Sequence, residues 1–360
     1  MSPPKIQSPE TERNESKLKA VLFLGDQSGF GIAHLEPLLE NFDVELTIFA
    51  DKKRWAIFRE ALTKDYATSS HLKPTWKLWL EQIKSSIRFW IRRQKTINLL
   101  KRYNIKYTTA HSINAESFRN AIARKYDQTI FFCAAFPQIF GAELLAIPKH
   151  GTINFHPSVL PKFRGAHPHY WMIARGEKIG GISAHYMTPR LDDGNLLAQT
   201  SFPIDGYYYS DLYARIVRET PDLVLKLRQL LEGGRSRGSP QDEALSTSYK
   251  NDRDIHHRIF WQEMTSLEIF NLIRTERAFC FFRGNKIGLR QATTTESNRN
   301  LTNAVRIEPG TVIDIDQYGV YVSTRNCVIQ IIQTTSKHGR QIPAVRWASR
   351  AKLAIGEKFE

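Results

Sequence analysis

The chain has 360 residues, of which 41% are hydrophobic and 24% charged, a balance typical of globular proteins and a length sufficient for two domains. This composition excludes collagen-like, low-complexity and wholly disordered proteins, and the longest apolar run, 129–136, is far shorter than the roughly 20 residues that span a membrane. The formal net charge is +15, and residues 51–106 alone carry +11, with 15 Lys and Arg against 4 Asp and Glu.

The first elements predict the opening of an α/β domain. Residues 1–18 are polar, with Pro and mixed charges, which favours a disordered tail over a secretory signal. The apolar run Lys19–Leu24 predicts a buried parallel strand, 32–41 a helix and 44–49 a second strand. The intervening glycines, in GDQSGFG, lack the spacing of the dinucleotide-binding fingerprint and carry no nucleotide prediction by themselves.

A basic insertion rich in tryptophan follows at about 53–98. Large apolar residues recur there at three- and four-residue steps between lysines and arginines: Trp76, Trp79, Ile83, Ile87, Trp90 and Ile91. This spacing predicts an amphipathic helix. Such a helix can bind a polyanion such as RNA, lie on an anionic membrane or pack on its own domain, and the sequence leaves all three interpretations open.

From residue 99 the alternation of helices and strands resumes. Helices are predicted near 115–125, 137–147 and 168–175, and strands at 129–134, 151–155 and 181–187. The last strand is expected to complete a third strand–helix–strand passage. The pattern predicts a doubly wound, Rossmann-like α/β domain over 19–205.

The remainder predicts a second, smaller domain. A helix at 208–232 and a linker rich in Gly and Ser make up residues 206–254. Residues 255–360 contain one predicted helix, Ser266–Arg274, and short strands at 278–282, 286–291, 311–315, 318–323 and 328–333. Short strands separated by turns predict a small OB-like β-barrel.

The three cysteines stand far apart in the sequence. Cys133, Cys280 and Cys327 form no CxxC pair and indicate neither a disulfide framework nor a zinc site. We therefore expect a cytoplasmic protein without a metal.

Chemically useful side chains are densest in the segment GTINFHPSVLPKFRG, residues 151–165. Asn154 and His156 are two residues apart on a predicted strand, so both side chains project from one face, and Pro157 ends the strand at the sheet edge where ligands bind. An amide donor beside an imidazole suits a reaction that passes through an oxyanion. Asp192 or Asp193, in the loop after the next strand, is expected to orient the histidine.

These motifs resemble those of the folate-dependent formyltransferases. INFHPSVLPKFRG is similar to the family signature, and GISAHYMTPRLDDGNLL is similar to its second motif, in which Leu-Asp-x-Gly carries the catalytic aspartate. The resemblance implies that Asp192, rather than Asp193, acts with Asn154 and His156 as a catalytic residue. The chain from Gln241 onward is similar to the C-terminal part of methionyl-tRNA formyltransferases, which includes a barrel-like domain.

The resemblance also implies a co-substrate, N10-formyltetrahydrofolate, and no metal. The implied folate cleft lies between three loops: Pro137, Gln138, Ile139 and Phe140; Ser158, Val159, Leu160 and Pro161; Thr188, Pro189, Arg190 and Leu191. The expected contacts to the amine substrate are Lys52, Lys53, Arg54, Arg164 and His185.

Three departures from the family pattern leave the amine acceptor open. They are the first loop, GDQSGFG, the basic insertion, and Arg-Gly-Ala-His-Pro at 164–168. Met-tRNA is the expected acceptor, because the C-terminal domain and the basic insertion suit an RNA substrate. The alternative is an amino sugar linked to a nucleotide, and a hydrolase that releases formate from formyltetrahydrofolate is a third interpretation.

Overall fold

The structure is a computed structural model that describes residues 17–26, 28–51, 76–234, 237–294, 307–336 and 339–360. Nearly all of the expected tail, and the basic residues Lys52, Lys53 and Arg54, therefore lie outside the described residues. The described chain forms an α/β half that carries the site and a β-rich half that follows it.

The strands of the first half follow the apolar runs of the sequence. They are β1 (Lys19–Leu24), β2 (Asp43–Ala50), β3 (Lys106–Ala110), β4 (Ile130–Ala134), β5 (Thr152–His156), β6 (Arg164–Gly165), β7 (Ile179–Tyr186) and β8 (Leu196–Pro203). The main sheet has the order β3–β2–β1–β4–β5–β7–β8, and β6 pairs instead with a two-residue strand of the linker. The strand order reverses direction between β1 and β4, which is where ligands bind in open α/β sheets.

Helices cover both faces of this sheet. They are α1 (Gly29–Ala33), α2 (Leu35–Asn41), α3 (Trp76–Arg102), α4 (Glu116–Tyr126), α5 (Ala142–Leu145), α6 (Pro168–Ala174) and α7 (Tyr209–Glu232). Leu22 and Leu24 of β1 pack in one apolar cluster, and Val21 and Phe23 pack in a second cluster on the opposite face. This burial on both faces explains the continuous apolar run that predicted the strand.

The loops that follow β1 and β4 touch at the edge of the sheet. A Cβ atom on Gly25 would lie 1.9 Å from the carbonyl oxygen of Ala135, so only glycine allows this approach. Gly25 also donates its N–H to the Ala134 carbonyl at 2.9 Å. The glycine at this position brings the two loops together beside β5.

The third strand–helix–strand passage is present, but its two strands are antiparallel. β7 pairs antiparallel with β5, and β8, which was not predicted, pairs antiparallel with β7. The connection stays at the carboxyl edge because α6 has only seven residues, about 10 Å of helix, and does not return the chain across the sheet. Asn154 therefore lies directly beside His185 in the register of the two strands.

The long basic helix α3 extends beyond the carboxyl edge of the sheet. Arg93 marks this edge, because its guanidinium contacts Asp26 after β1 at 3.4 Å, Thr109 near the end of β3 at 2.9 Å and the ring of Phe49 near the end of β2 at 4.9 Å. The residues of α3 before Arg93 continue for about 25 Å past that level. Ile87, Trp90 and Ile91 of the predicted apolar stripe are 51%, 60% and 44% exposed. Among the described residues, no helix is long and apolar enough to cross a membrane.

The second half is a small antiparallel β-domain. Its elements, with those of the linker, are β9 (Ser248–Tyr249), α8 (Asp254–His257), α9 (Ser266–Arg274), β10 (Phe279–Phe282), β11 (Asn285–Thr294), β12 (Val312–Asp316), β13 (Gly319–Ser323), β14 (Val328–Thr335), β15 (Gln341–Pro343) and α10 (Ala344–Ala351). The sheet has the order β10–β11–β14–β13–β12, with β15 beside β14. Residues 356–360 join its two ends, because Glu360 exchanges two backbone hydrogen bonds with Phe281 while Phe359 and Gly356 bond to Gly310 and Val312. This closure makes the sheet barrel-like, and the predicted fold class is confirmed.

Candidate active site

Three polar side chains meet on one face of β5 and in the loop before β8. Asn154 Nδ2 lies 3.4 Å from Asp192 Oδ1, and His156 Nδ1 lies 3.5 Å from Asp192 Oδ2. Alternation along β5 places Asn154 and His156 on the same side, as expected from their spacing. The chain brings Asp192 to them from the loop that crosses this face.

The carboxylate of Asp192 lies among polar groups of three segments. Gly165 donates its backbone N–H to Oδ2 at 2.9 Å, and His185 Nε2 lies 3.5 Å from Oδ1. Burial opposes ionisation of this carboxyl, but His156, His185 and the Gly165 N–H together hold the pKa of Asp192 well below its usual range. Asp192 is therefore a buried carboxylate that stays ionised at neutral pH.

His156 is 4% exposed and has a fixed tautomer. Its Nε2 donates to the carbonyl oxygen of Phe163 at 2.8 Å, so in the neutral ring the other nitrogen, Nδ1, is the one without a proton. Burial lowers the pKa of His156, and this effect outweighs the opposing influence of Asp192. His156 is therefore neutral in the resting site, since desolvation of the cation costs more than the neighbouring carboxylate returns.

His185 supports the site from the neighbouring strand. Its Nδ1 donates to the carbonyl of Tyr186 at 2.8 Å, which leaves Nε2 as an acceptor for Asn154 Nδ2 at 3.2 Å. The residue is 1% exposed. This burial does not suit the contact to the amine substrate that we expected of His185, and its bonds indicate a positioning role.

Asp193 points away from the site. Its carboxylate accepts from the Thr188 hydroxyl and pairs with Arg190. Asp192 reaches His156 from a left-handed backbone conformation, with φ of 53°. The geometry thus shows that Asp192, and not Asp193, contacts His156. The composition of the loop alone did not distinguish the two aspartates.

The implied folate loops differ in how much of their side-chain surface is exposed to solvent. Ile139, in the loop after β4, is 80% exposed, and Leu191, which precedes Asp192 in the chain, is 62% exposed. Gln138 is held by its side-chain oxygen, which accepts from Ile113 N–H at 3.2 Å, and Phe140 packs on Phe23 with ring centroids 4.9 Å apart. Pro137 precedes these residues in the same loop.

The second implied folate loop is largely internal. Ser158 and Leu160 are 0% and 2% exposed, and the Leu160 N–H and carbonyl bond to Ser183 Oγ at 3.1 Å and Gln199 Nε2 at 2.7 Å. Besides Leu191, the partly or fully exposed members of the second and third loops are Val159, Pro161, Thr188, Pro189 and Arg190. Ser158 and Leu160 therefore shape the turn after β5 and leave the exposed positions to face a ligand.

Arg164, expected to contact the amine substrate, is used within the protein. Its guanidinium donates to Gln241 Oε1 and to both carboxylate oxygens of Glu243. The side chain is 10% exposed. The structure thus favours a positioning role for Arg164 over a substrate contact.

Sequence reasoning missed a second polar cluster beside the site. Asp252 is held by His167, His257 and Arg277, with 2.6 Å between its Oδ2 and His257 Nε2. Burial opposes ionisation, but the two histidine hydrogen bonds and the Arg277 charge hold the pKa of Asp252 far below its usual range. The histidine in Arg-Gly-Ala-His-Pro was the only signal of this cluster. Among the described residues, no group of His, Cys, Asp and Glu side chains is arranged to hold a metal ion.

Comparison with known proteins agrees with this arrangement. A family model described as Formyl transferase matches residues 82–226, and one described as Formyl transferase, C-terminal domain, matches residues 254–352. A methionyl-tRNA formyltransferase of Fusobacterium nucleatum is 31% identical over 242 residues, which are 66% of this chain and 76% of that protein. One from Alkaliphilus oremlandii is 29% identical over 234 residues, 64% of this chain and 73% of its own length.

Solved structures show the same fold. The N-formyltransferase of Helicobacter canadensis, in complex with folinic acid and dTDP-3-aminofucose, has a TM-score of 0.56 at 17% identity and covers 88% of this chain and 98% of its own. HypX from Aquifex aeolicus has a TM-score of 0.54 at 15% identity and covers 95% of this chain and 49% of its own. With both family models matched in order, and relatives that share about three tenths of their residues over most of their length, the chain belongs to the formyltransferase family.

Proposed function

We propose that this protein transfers the formyl group of N10-formyltetrahydrofolate to the amino group of methionyl-tRNA, with Asn154, His156 and Asp192 as catalytic residues. The observation that carries the proposal is the group that these three side chains form on β5 and in the loop before β8, where Asn154 and His156 each lie within 3.5 Å of the Asp192 carboxylate. Relatives named methionyl-tRNA formyltransferase, matched over about two thirds of the chain, support the choice of acceptor.

The reaction needs a stabiliser for negative charge on the formyl oxygen. The amine nitrogen attacks the formyl carbon, a new C–N bond forms, and the carbonyl electron pair moves to oxygen. Asn154 donates an N–H to that oxygen, a contribution on the order of 10²–10³ in rate for one such donor. Asn154 is suited to this because its amide is only half-buried. The 3.2 Å bond to His185 orients the amide, and the long 3.4 Å contact with Asp192 is the one exchanged for the formyl oxygen.

The proton lost by the amine passes to the His156–Asp192 pair. His156 is neutral at rest because burial lowers its pKa, so the imidazole can become cationic as negative charge develops beside it. Asp192 then stabilises the imidazolium across the 3.5 Å separation. The bond from the formyl carbon to N10 breaks, and the proton leaves on N10, which balances the transfer.

Exposed apolar side chains at the site suit the flat rings of a folate. Ile139 and Leu191 come from two different loops, and both present most of their surface to solvent. A ring that covers an exposed large apolar side chain gains binding free energy, because full burial of each such side chain is worth about 1.5–3 kcal/mol. We infer that these two residues contact the pterin or p-aminobenzoate ring.

The basic helix α3 supports an RNA acceptor. It extends past the carboxyl edge that holds the site, and its sequence before Arg93 includes Lys77, Lys84, Arg88 and Arg92. Lysines and arginines that neutralise phosphates release condensed counterions, so binding through them weakens steeply with salt. We therefore propose that α3 contacts the phosphates of the tRNA acceptor arm.

The test is formyl transfer measured over a salt series for Met-tRNA and for a nucleotide-linked amino sugar. The variant Lys84→Glu/Arg88→Glu should raise the KM for Met-tRNA and flatten its salt dependence. A control with the same charge change is Arg124→Glu/Lys125→Glu, on the last turn of α4 at the opposite edge of the sheet, where both side chains are exposed. The control should behave like the native protein, and equal effects of the two variants would contradict the assignment of α3.

An amino sugar linked to a nucleotide is the second candidate acceptor. The fold that this chain shares with the N-formyltransferase of Helicobacter canadensis, solved with dTDP-3-aminofucose, supports it. A diphosphate carries few charges, so the turnover of such a sugar should depend weakly on salt. It should also be the same in Lys84→Glu/Arg88→Glu as in the native protein. Turnover of the sugar with no formylation of Met-tRNA at any salt would replace the first candidate with the second.

A further inference from the structure

A segment of the linker, residues 239–249, lies directly behind the loop that carries Asp192. Ser239 exchanges two backbone hydrogen bonds with Leu196, both 2.8 Å long. Gln241 is 8% exposed, and its Nε2 donates to the carbonyl oxygens of Asp192 and Gly194, each at 2.8 Å. One buried amide therefore holds the backbone on both sides of the turn that aims the Asp192 carboxylate.

The other end of the same amide is also fixed. Arg164 donates from Nε and Nη2 to Gln241 Oε1, at 3.1 and 2.8 Å. An acceptor must face the guanidinium and a donor must face the two carbonyls, so these partners determine the orientation of the Gln241 amide. Glu243 completes the arrangement by accepting from Arg164 at 2.8 and 3.0 Å.

The linker also holds the strand that contacts His156. β6 contributes the Gly165 N–H to Asp192, and the preceding Phe163 carbonyl accepts from His156. β9 of the linker pairs in parallel with β6, and the Phe163 ring stacks on Tyr249 with centroids 5.4 Å apart. The same segment of chain thus contacts both the Asp192 loop and the strand that holds the Asp192 and His156 side chains.

We propose that Gln241 is a positioning residue for Asp192, and that the linker segment 239–249 sets the placement of Asp192 relative to His156. This inference rests on the proposed function, because it assumes that Asp192 acts in formyl transfer. Gln241 touches no reacting atom. It acts through the two carbonyls that flank the Asp192 turn.

The test uses two substitutions of the amide. Gln241→Glu keeps an oxygen for Arg164 but removes both donors to the carbonyls, and Gln241→Leu removes every polar contact. A displacement of the order of 1 Å in a reacting group lowers turnover by about 10²-fold, so both variants should lose about 10–100-fold in kcat. KM for formyl-folate and for the acceptor should remain within about twofold, because neither substrate touches Gln241.

A control in the same segment separates positioning from stability. Asp242 is exposed and its side chain only caps the N–H of Ala244, at 3.0 Å, so Asp242→Ala removes a linker hydrogen bond without reaching Asp192. All variants are compared well below their melting temperatures, where each is folded. Native kcat in both Gln241 variants under these conditions would overturn the inference.

A second readout does not require turnover. The imidazole ¹⁵N resonances of His156, assigned by their loss in His156→Gln, report the proximity of Asp192. They should move in Gln241→Glu and Gln241→Leu and stay in place in Asp242→Ala. If the native protein transfers no formyl group to any acceptor, the proposed function fails, and unchanged resonances in the Gln241 variants would separately overturn the positioning inference.

Discussion

Asp192→Asn isolates the charge of Asp192 from its other contacts. The asparagine keeps an oxygen for the Gly165 N–H, which now bonds to Asp192 Oδ2 at 2.9 Å, so the loop should hold its place. What is lost is the attraction between the carboxylate and the imidazolium that forms during transfer. At the 3.5 Å separation of His156 Nδ1 and Asp192 Oδ2, this attraction is worth about 5 kcal/mol with an effective dielectric constant of about 20.

Most of that energy belongs to the transition state, because His156 is neutral at rest. We therefore expect kcat to fall about 10³-fold, equivalent to about 4 kcal/mol, with little change in the affinity for formyl-folate. The assay is single-turnover formyl transfer with saturating enzyme, scored by the mass of the formylated product, beside a binding titration with the folate.

Asp193→Asn is the matched control for this prediction. It makes the same chemical change one residue away, in a carboxylate that contacts Thr188 and Arg190 and faces away from His156. We expect this control to be at least about 100-fold more active than Asp192→Asn. Equal losses in the two variants, or a loss below about tenfold in Asp192→Asn, would refute the assignment of Asp192.

Three further predictions test the fold and the folate cleft. Gly165→Ala should lower the free energy of unfolding by more than about 2 kcal/mol, because Gly165 has φ of 95° and its Cβ would lie 2.2 Å from a linker carbonyl. The control Gly206→Ala, at φ of 71° with open space around it, should lower it by about 1 kcal/mol. Similar losses of the two variants in urea unfolding would contradict the close approach of the linker. His34→Gln should flatten the loss of stability between pH 6.5 and 4. Burial lowers the pKa of His34 to about 4, so as the pH falls the unfolded chain takes up a proton before the folded chain does, and the native protein loses about 3 kcal/mol of unfolding free energy. Denaturant unfolding at several pH values measures this loss. The same dependence of unfolding free energy on pH in His34→Gln would contradict the prediction. Ile139→Ser should raise the KM for formyl-folate about tenfold and leave kcat unchanged. The control Ile355→Ser, at a residue of the C-terminal half that is 64% exposed, should leave the KM unchanged. A native KM in Ile139→Ser would show that Ile139 does not contact the folate.

Strands with continuous apolar runs were the part of the fold that the sequence predicted well. β1 and β4 are buried on both faces, so their composition alone marks them. Strand direction was not visible in the same way, because the direction of β7 depends on whether the preceding connection crosses the sheet. β8 was missed since its residues alternate irregularly between buried and exposed positions.

The position of the site was predictable because Asn154 and His156 share one strand. The choice between Asp192 and Asp193 depended on the resemblance to a family, since their separation arises from one left-handed residue in the loop. The roles of Arg164 and Gln241 could not be read from the sequence. Their contact joins residues 77 positions apart in the chain. Only the folded structure shows that Arg164, which the sequence predicts to contact substrate, is hydrogen-bonded within the protein.

Formyl transfer from folate to an amine through the group formed by Asn154, His156 and Asp192 can be followed with an isotopic label. The most direct measurement supplies the native protein with N10-formyltetrahydrofolate labelled in the formyl carbon, together with Met-tRNA, and follows the label into the methionyl amino group. We expect stoichiometric transfer by the native protein and losses of about 10²–10³-fold or more in Asn154→Ala, His156→Ala and Asp192→Asn. Label that appears only as free formate, or transfer that survives these three substitutions, would contradict formyl transfer through this group.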